Sequence, residues 1–294
     1  MNPKVTVLTS LYNCKNYLNN FFDHVAKIER SENIEILLLH NAPTKEEIEI
    51  INQNLSRIPC LKHHIIPTLE GLYTTWNRGI RLAKGEYICI WNVDDIRLPS
   101  SIRLQAETLD THPEAALTYG NMGYMYSYGI LSNDIDIAKD FQKNRWHFFR
   151  SHQIGCFPMW RKSIHKKIGY FDEQFKLIAD FDFQIRVARS CNLVKTDALI
   201  GYYLEYVPTK LSYSPHSKQR REQNVLYLRY GIWDRVNCVY LFESIYKYKI
   251  SLHSSYYFPN HFLFVICRFP LVIGALFRQP RYILAYIKHE ILKK

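Results

Sequence analysis

At 294 residues, with 47% hydrophobic and 22% charged content, the chain can bury one large or two modest cores, which excludes a disordered protein. Its seven cysteines are scattered and form no Cys-x-x-Cys pair or zinc-ligand spacing, so they read as buried thiols of a reducing compartment. The net charge of +11 is concentrated toward the end, and no basic stripe interleaved with exposed aromatics occurs, which disfavours nucleic acid and points to an anionic nucleotide or membrane surface.

The chain begins Met-Asn-Pro-Lys and passes straight into a strand at residues 4–9, so no secretory leader is expected. A turn at Tyr12-Asn13-Cys14 precedes a helix from Tyr17 to Glu29, with Leu18, Phe21, Phe22, Val25 and Ile28 on one face. Ile34 to Leu39 reads as a buried parallel strand, and Thr44 begins a second helix with acids in its first turn. Leu61 to Ile66 is a third strand, Tyr73 to Ala83 a third helix and Glu86 to Trp91 a fourth strand. Pro99 sits just inside a helix to about Thr111, and Ala115 to Tyr119 is another strand.

This alternation predicts an α/β fold with a Rossmann-like, mostly parallel sheet and helices on both faces. Neither Gly-x-Gly-x-x-Gly after the first strand nor a P-loop occurs, so a dinucleotide cofactor or P-loop nucleotide is not expected. From about 121 to 215 the alternation breaks, although Asp180-Phe181-Asp182 opens a further helix to about Ser190. Phe262 to Phe277 carries only Arg268 as a charge. It is too short for a span of roughly 20 residues. It reads either as a packed C-terminal helix or as one lying in a membrane interface.

The fourth strand ends in Asn92-Val93-Asp94-Asp95. Adjacent carboxylates at a strand's carboxyl end suit a divalent cation bridging to phosphate. A solvated turn followed by a capped helix is the structural alternative.

Taken in order over roughly residues 4–215, the motifs resemble family 2 glycosyltransferases, the inverting group with the GT-A fold. The matching stretches are Val5 to Asn13, Glu35 to Thr44, Glu70-Gly71-Leu72 with Trp76 to Ile80, Ala83 to Ile88, Asn92 to Asp95, His112 to Gly120, Met159 to Lys162, Gly169 to Glu173 and Asp180 to Phe183. The resemblance implies three segments: a nucleotide-sugar-binding half at 1–120, an acceptor-binding half at 121–217, and a helical, basic, aromatic C-terminal extension at 218–294. It implies transfer of a sugar from a nucleotide-diphosphate donor to a hydroxyl of a glycan or lipid-linked acceptor, in cell-surface polysaccharide synthesis. The expected place is the cytoplasm, at the inner face of the membrane, with residues 241–294 against the lipid surface.

The roles carried over are specific. Asp180 occupies the position of the general base, with Asp182 as fallback, and an N-cap is the structural alternative for Asp180. Asp94 is the expected ligand to Mg2+ or Mn2+, with Asp95 as helper or helix cap and His216 as a weaker candidate. Thr9, Leu11, Tyr12, His40, Asn41, Gly71, Asn77, Arg78, Asn92 and Val93 are expected around the nucleotide sugar. Trp160 and Tyr170 are candidates for an acceptor wall or for core packing.

Three positions depart from the family pattern. Asn92 stands where the first acid of Asp-x-Asp is expected, which removes one negative charge. His40 replaces an Asp that usually contacts the base, and packing against Tyr12 is its alternative. Ala179 stands where a Glu often precedes the base. Two further readings are a degenerate, non-catalytic sugar-nucleotide-binding protein and a sugar nucleotidyltransferase. The latter needs a Gly-rich loop after the first strand, and Ser10 to Cys14 contains no glycine.

Overall fold

The computed structural model describes residues 2–29, 31–141, 147–205, 216–232, 235–237, 240–241, 243–252, 256 and 277. In chain order these form β1 (Val5–Leu11), α1 (Lys15–Val25), β2 (Ile34–Asn41), α2 (Lys45–Leu55), β3 (Leu61–Ile66), α3 (Leu72–Leu82), β4 (Tyr87–Ile90), β5 (Ile96–Arg97) and α4 (Ser101–Thr111). They continue as β6 (Ala115–Met125), β7 (Ile135–Asp136), α5 (His147–Arg150), β8 (Met159–Arg161), α6 (His165–Ile168), α7 (Ala179–Ser190), β9 (Asn192–Leu204) and α8 (His216–Tyr230). Two compact units result: Met1–Phe171 with Gln184–Pro208, and Asp172–Phe183 with Thr209–Lys294.

In the first unit the described strands form one sheet in the order β3-β2-β1-β4-β8-β6-β9-β5, with β7 on β6. The run β3-β2-β1-β4 is parallel, and β8 is inserted antiparallel between β4 and β6. Alternate residues of β1 and β2 (Val5, Val7, Leu11, Ile34, Ile36, Leu38) bury one face, against Leu18, Phe21, Phe22 and Val25 of α1 and Ile51 of α2. Each such side chain contributes about 1.5–3 kcal/mol by leaving water. On the opposite face α3 comes close at Gly79, where an added Cβ would lie 2.6 Å from Leu39 and 2.8 Å from Leu8.

The expected alternation holds through α4, with small shifts at the ends. β1 extends to Leu11, and Asn13 takes a left-handed φ of 47° in the turn before α1. Thr44 caps α2 through a reciprocal box with Glu47. β6 runs to Met125, well past Tyr119. Gly120 and Gly123 look like breakers, yet β9 presses Ile200 and Tyr202 against them, leaving no space for a Cβ.

In the second unit Phe175, Ile178 and Phe181 are buried, as are Val225 and Leu226 of α8. The Phe181 ring meets Tyr227 edge-on at 6.4 Å. Among the described residues no helix is long and apolar enough to cross a membrane. The Phe262 to Phe277 run lies outside the described residues apart from Phe277.

Candidate active site

The turn after β4 is built around Asp95. Its N–H bonds the Asn92 carbonyl at 3.1 Å, and its own carbonyl accepts the Trp91 indole N–H at 3.0 Å. The Asp95 carboxylate accepts the Leu204 N–H on Oδ1 at 3.1 Å and the Asn92 amide on Oδ2 at 3.0 Å. It is 1% exposed. Expected as a helper ligand, Asp95 has instead the surroundings of an anchor that ties the turn to β9. Asp94, between the buried Val93 and Asp95, is half-buried at the strand's carboxyl end. Tyr128 stands near it, donating to the Val93 carbonyl at 3.4 Å. Burial, then the charges of Asp94 and Asp95, push the Tyr128 phenol up, so it stays a proton donor at neutral pH.

The ends of β1 and β2 divide the expected nucleotide residues into buried and accessible sets. Tyr12 is 54% exposed, whereas the Leu11 and Thr9 side chains are fully buried. The buried Thr9 hydroxyl has no hydrogen-bond partner among the described residues. His40 is also wholly buried, and it packs on Glu47 and His63 rather than on Tyr12. Its Nε2 lies 3.3 Å from Glu47 Oε2 and its Nδ1 3.1 Å from His63 Nε2. Burial lowers the His40 and His63 pKa values, His63 to about 4. Burial works to raise Glu47, but hydrogen bonds from Thr44 and Cys14 outweigh it and hold the carboxyl at about 2. Glu47 thus joins the turn before α1 to the end of β2, as Cys14 N–H meets its Oε1 at 2.6 Å. The Thr44-x-x-Glu47 spacing is the signal that could have found it.

Asn41 is buried, donating to Thr75 Oγ1 at 3.0 Å and accepting the Glu70 N–H at 3.2 Å. This holds the segment leading to Gly71, the N-cap of α3. Arg78 is exposed and grips Glu70 through two bonds of 3.0 and 2.8 Å. Asn77, in contrast, is fully buried and brackets the Phe171 backbone, donating to its carbonyl at 2.8 Å and accepting its N–H at 2.9 Å. Its side chain fixes the chain at Phe171 and presents no surface to a nucleotide.

Trp160 is wholly buried, with its indole N–H donating to His165 Nε2 at 2.8 Å, so it offers no face to an acceptor. Burial lowers His165 to about 4, keeping it the neutral acceptor that this bond needs. Tyr170 is half-buried, stacked on His165 at 5.0 Å with the Arg81 guanidinium 4.8 Å from its ring centre.

In the second unit α7 begins at Ala179, which places Asp180 inside the first turn and not at an N-cap before Phe181. Acids are favoured there by the helix dipole. Asp180 is half-buried, and its Oδ1 accepts the Phe181 N–H at 2.8 Å. Asp182 is fully buried, and its Oδ1 accepts Arg229 Nη1 at 3.0 Å and the Tyr230 hydroxyl at 2.7 Å. Arg229 also reaches Asp172 Oδ2 at 3.0 Å, and burial opposes its charge less than these acids support it. Glu222 of α8 accepts the Lys176 and Leu177 N–H groups at 2.9 Å each. Glu222 and Arg229 are not legible in the sequence, because partners 40 or more residues away leave no local pattern. His216 opens α8, but its side chain lies outside the described residues.

Among the described residues no three His, Cys, Asp or Glu side chains converge on one point. A single half-buried carboxylate at Asp94 still suits Mg2+ or Mn2+, which bind through one or two carboxylates and complete their shells with phosphate and water.

The sheet, with a carboxylate turn at the carboxyl end of a central parallel strand and the antiparallel β8 beside it, matches the GT-A fold of solved glycosyltransferases. The sequence model of glycosyl transferase family 2 matches residues 6–169, more than half of the chain, and the chain belongs to that family. It is similar to an uncharacterized glycosyltransferase of Methanocaldococcus jannaschii, 25% identical over 262 residues covering 86% of each chain. Two other relatives, uncharacterized glycosyltransferases of Haemophilus influenzae and Rickettsia typhi, are matched over 48% and 59% of their own length. The fold matches S. aureus TarS 1-349 in complex with UDP-GlcNAc, with a TM-score of 0.62 at 17% identity, over 93% of this chain and 79% of that one. It also matches the mannosyltransferase PcManGT from Pyrobaculum calidifontis in complex with GDP-Man and Mn2+, with a TM-score of 0.57 at 13% identity over 96% and 76%. The chain is therefore a glycosyltransferase of family 2.

Proposed function

We propose that this glycosyltransferase is an inverting, metal-dependent hexosyltransferase. It moves a sugar from a nucleotide-diphosphate donor to a hydroxyl of a glycan or lipid-linked acceptor in cell-surface polysaccharide synthesis. The observation that carries the reading is the contrast between the two acids after β4. Asp95 is buried and anchors the turn, while Asp94 is held half-buried at the strand's carboxyl end. Residues 1–120 would hold the donor and 121–217 the acceptor, with 218–294 as the extension.

Asp94 would hold the divalent cation, which when bound neutralises the diphosphate leaving group. In the transfer, the acceptor oxygen forms a bond to the anomeric carbon as the bond from that carbon to the diphosphate oxygen breaks. The hydroxyl proton passes to the Asp180 carboxylate, and the electron pair leaves with the nucleoside diphosphate. Asp180 suits the base role better than Asp182, whose carboxylate is fully buried against Arg229 and Tyr230. Tyr12, Asn41, Gly71 and Arg78 remain the donor-side residues of this reading, and Tyr170 the acceptor-side aromatic.

The donors named for the two solved relatives, UDP-GlcNAc and GDP-Man, support a nucleotide-sugar donor of this kind. A lipid-surface contact is supported by exposed Tyr246, Lys247, Tyr248 and Lys249, a basic and aromatic run. The reading is tested by nucleoside diphosphate release across a panel of nucleotide sugars with Mn2+, comparing wild type with Asp94→Asn and Asp180→Asn. Full turnover in both variants would remove these roles. Donor binding by calorimetry without any turnover in wild type would identify a non-catalytic sugar-nucleotide-binding protein instead.

A further inference from the structure

We propose that α8 is the positioning element of the reaction base: Glu222 and Arg229 grip the chain on both sides of Asp180 and fix where its carboxylate stands. This rests on the reading of Asp180 as the base. The two residues are seven apart on one helix, hence on one face and about 10 Å apart along the axis.

Glu222 grips the upstream side. Its two oxygens accept the N–H groups of Lys176 and Leu177 at 2.9 Å each, and the residue is 7% exposed. Arg229 grips the downstream side through Asp182 Oδ1 at 3.0 Å, and it reaches back to Asp172 Oδ2 at 3.0 Å. The chain between turns tightly, since the Phe181 and Asp182 N–H groups both bond the Ile178 carbonyl at 3.1 Å. Asp180 therefore sits in a short bridge pinned at both ends by one helix.

The pins are complete in themselves. Arg229 donates from Nε to the Leu252 carbonyl and from Nη2 to the Ser251 carbonyl, both at 3.1 Å. The second carboxylate that it faces is offset by neutral donors: Tyr230 Oη to Asp182 at 2.7 Å and Gln174 Nε2 to Asp172 at 2.8 Å. A buried network with its groups satisfied specifies one geometry more than it adds stability. Asp180 also stands close enough to Glu222 for its charge to add to burial in raising the Glu222 carboxyl. Placement of this kind matters to rate, because a shift of about 1 Å in a reacting group can cost on the order of a hundredfold.

The test uses the full chain with Glu222→Gln, Glu222→Asp, Arg229→Lys and Asp180→Asn. Release of nucleoside diphosphate from UDP-GlcNAc and from GDP-mannose is measured with Mn2+, beside donor affinity by calorimetry and melting temperature. Glu222→Gln keeps the size of the side chain but cannot accept both N–H groups. Arg229→Lys keeps a cation between the acids but cannot span residues 251 and 252. Both should lower kcat by about tenfold to a hundredfold while the donor dissociation constant stays within about twofold. Glu222→Asp, which restores the charge at shorter reach, should recover part of kcat. Wild-type kcat in the two variants, or kcat and donor affinity falling together, overturns the proposal. If one variant fails to fold, the other still reads the split. Full rate in Asp180→Asn refutes the base assignment itself. Loss in Asp180→Asn with wild-type rate in Glu222→Gln and Arg229→Lys refutes the role of α8 alone.

Discussion

Asn92 donates its side-chain amide to Asp95 Oδ2 at 3.0 Å, closing the turn that carries Asp94. The residue that departs from the family's acidic pattern thus has a positive function in this chain. An acid at 92 would meet the buried Asp95 carboxylate with no proton between them. The amide removes that repulsion and supplies one of the bonds that hold Asp95 in place.

Asn92→Asp should therefore destabilise the fold by about 1–3 kcal/mol at pH 7.5, through a lost hydrogen bond and two facing acids. The loss should shrink toward pH 5, where the pair can share a proton. Urea denaturation at the two pH values checks this, and an equal loss at both would show that repulsion is not the cause.

Asp94 and Asp95 are adjacent in sequence but should separate cleanly on mutation. Asp94→Asn is expected to leave the melting temperature nearly unchanged and to cut turnover by at least about a hundredfold. Asp95→Asn sets a second amide against the Asn92 amide, at a cost of about 1–3 kcal/mol in stability. Melting curves paired with diphosphate release distinguish the two. Equal thermal effects would remove the distinction between an anchor and a ligand.

Periodicity alone located the helices and strands from β1 to α4 except the two-residue β5, because a parallel sheet between two helical layers writes continuous apolar runs into its strands. It failed where close approach replaced periodicity. The strand read at Ala115 to Tyr119 stops short of Gly120 and Gly123, where β9 crowds β6. The turn that carries Asp94 was legible because it follows the continuous apolar run of β4. The candidate site was not legible where function depends on a distant partner. Nothing in the local sequence shows that His40 belongs to Glu47 and His63, that Asn77 holds Phe171, or that Arg229 holds Asp182.

The His63–His40–Glu47 chain predicts acid sensitivity of the first unit. Burial, reinforced by the charges of His40 and His64, lowers His63 from 6.5 to about 4. Hydrogen bonds from Thr44 and Cys14, prevailing over burial, lower Glu47 from 4.5 to about 2. In each case the folded pKa is depressed, so the unfolded chain binds more protons and stability falls as pH drops. The His63 contribution is lost between pH 6.5 and about 4, and that of Glu47 between 4.5 and about 2. For Glu47, which is 1% exposed, the loss is on the order of 3 kcal/mol. Denaturation midpoints measured from pH 8 to 3.5 should decline below 6.5, and His63→Gln should flatten the upper part of that decline. A midpoint that is level down to pH 4 contradicts the geometry.

The exposed run from Tyr246 to Lys249 makes the membrane reading testable without deleting any element. Tyr246 is 66% and Tyr248 46% exposed, and the Arg221 guanidinium lies 4.7 Å from the Tyr248 ring centre. The patch therefore combines aromatic area with positive charge, a pairing that favours the headgroup region of an anionic bilayer. Each lysine near such a surface is worth about 1 kcal/mol, so Lys247→Glu with Lys249→Glu should weaken binding by at least about thirtyfold. Both side chains are exposed, and the melting temperature should hardly move. Sedimentation with phosphatidylglycerol vesicles should fall in the double variant and in high salt. Phosphatidylcholine vesicles should bind neither protein well. If the double variant pellets with phosphatidylglycerol as wild type does, this run does not contact the membrane.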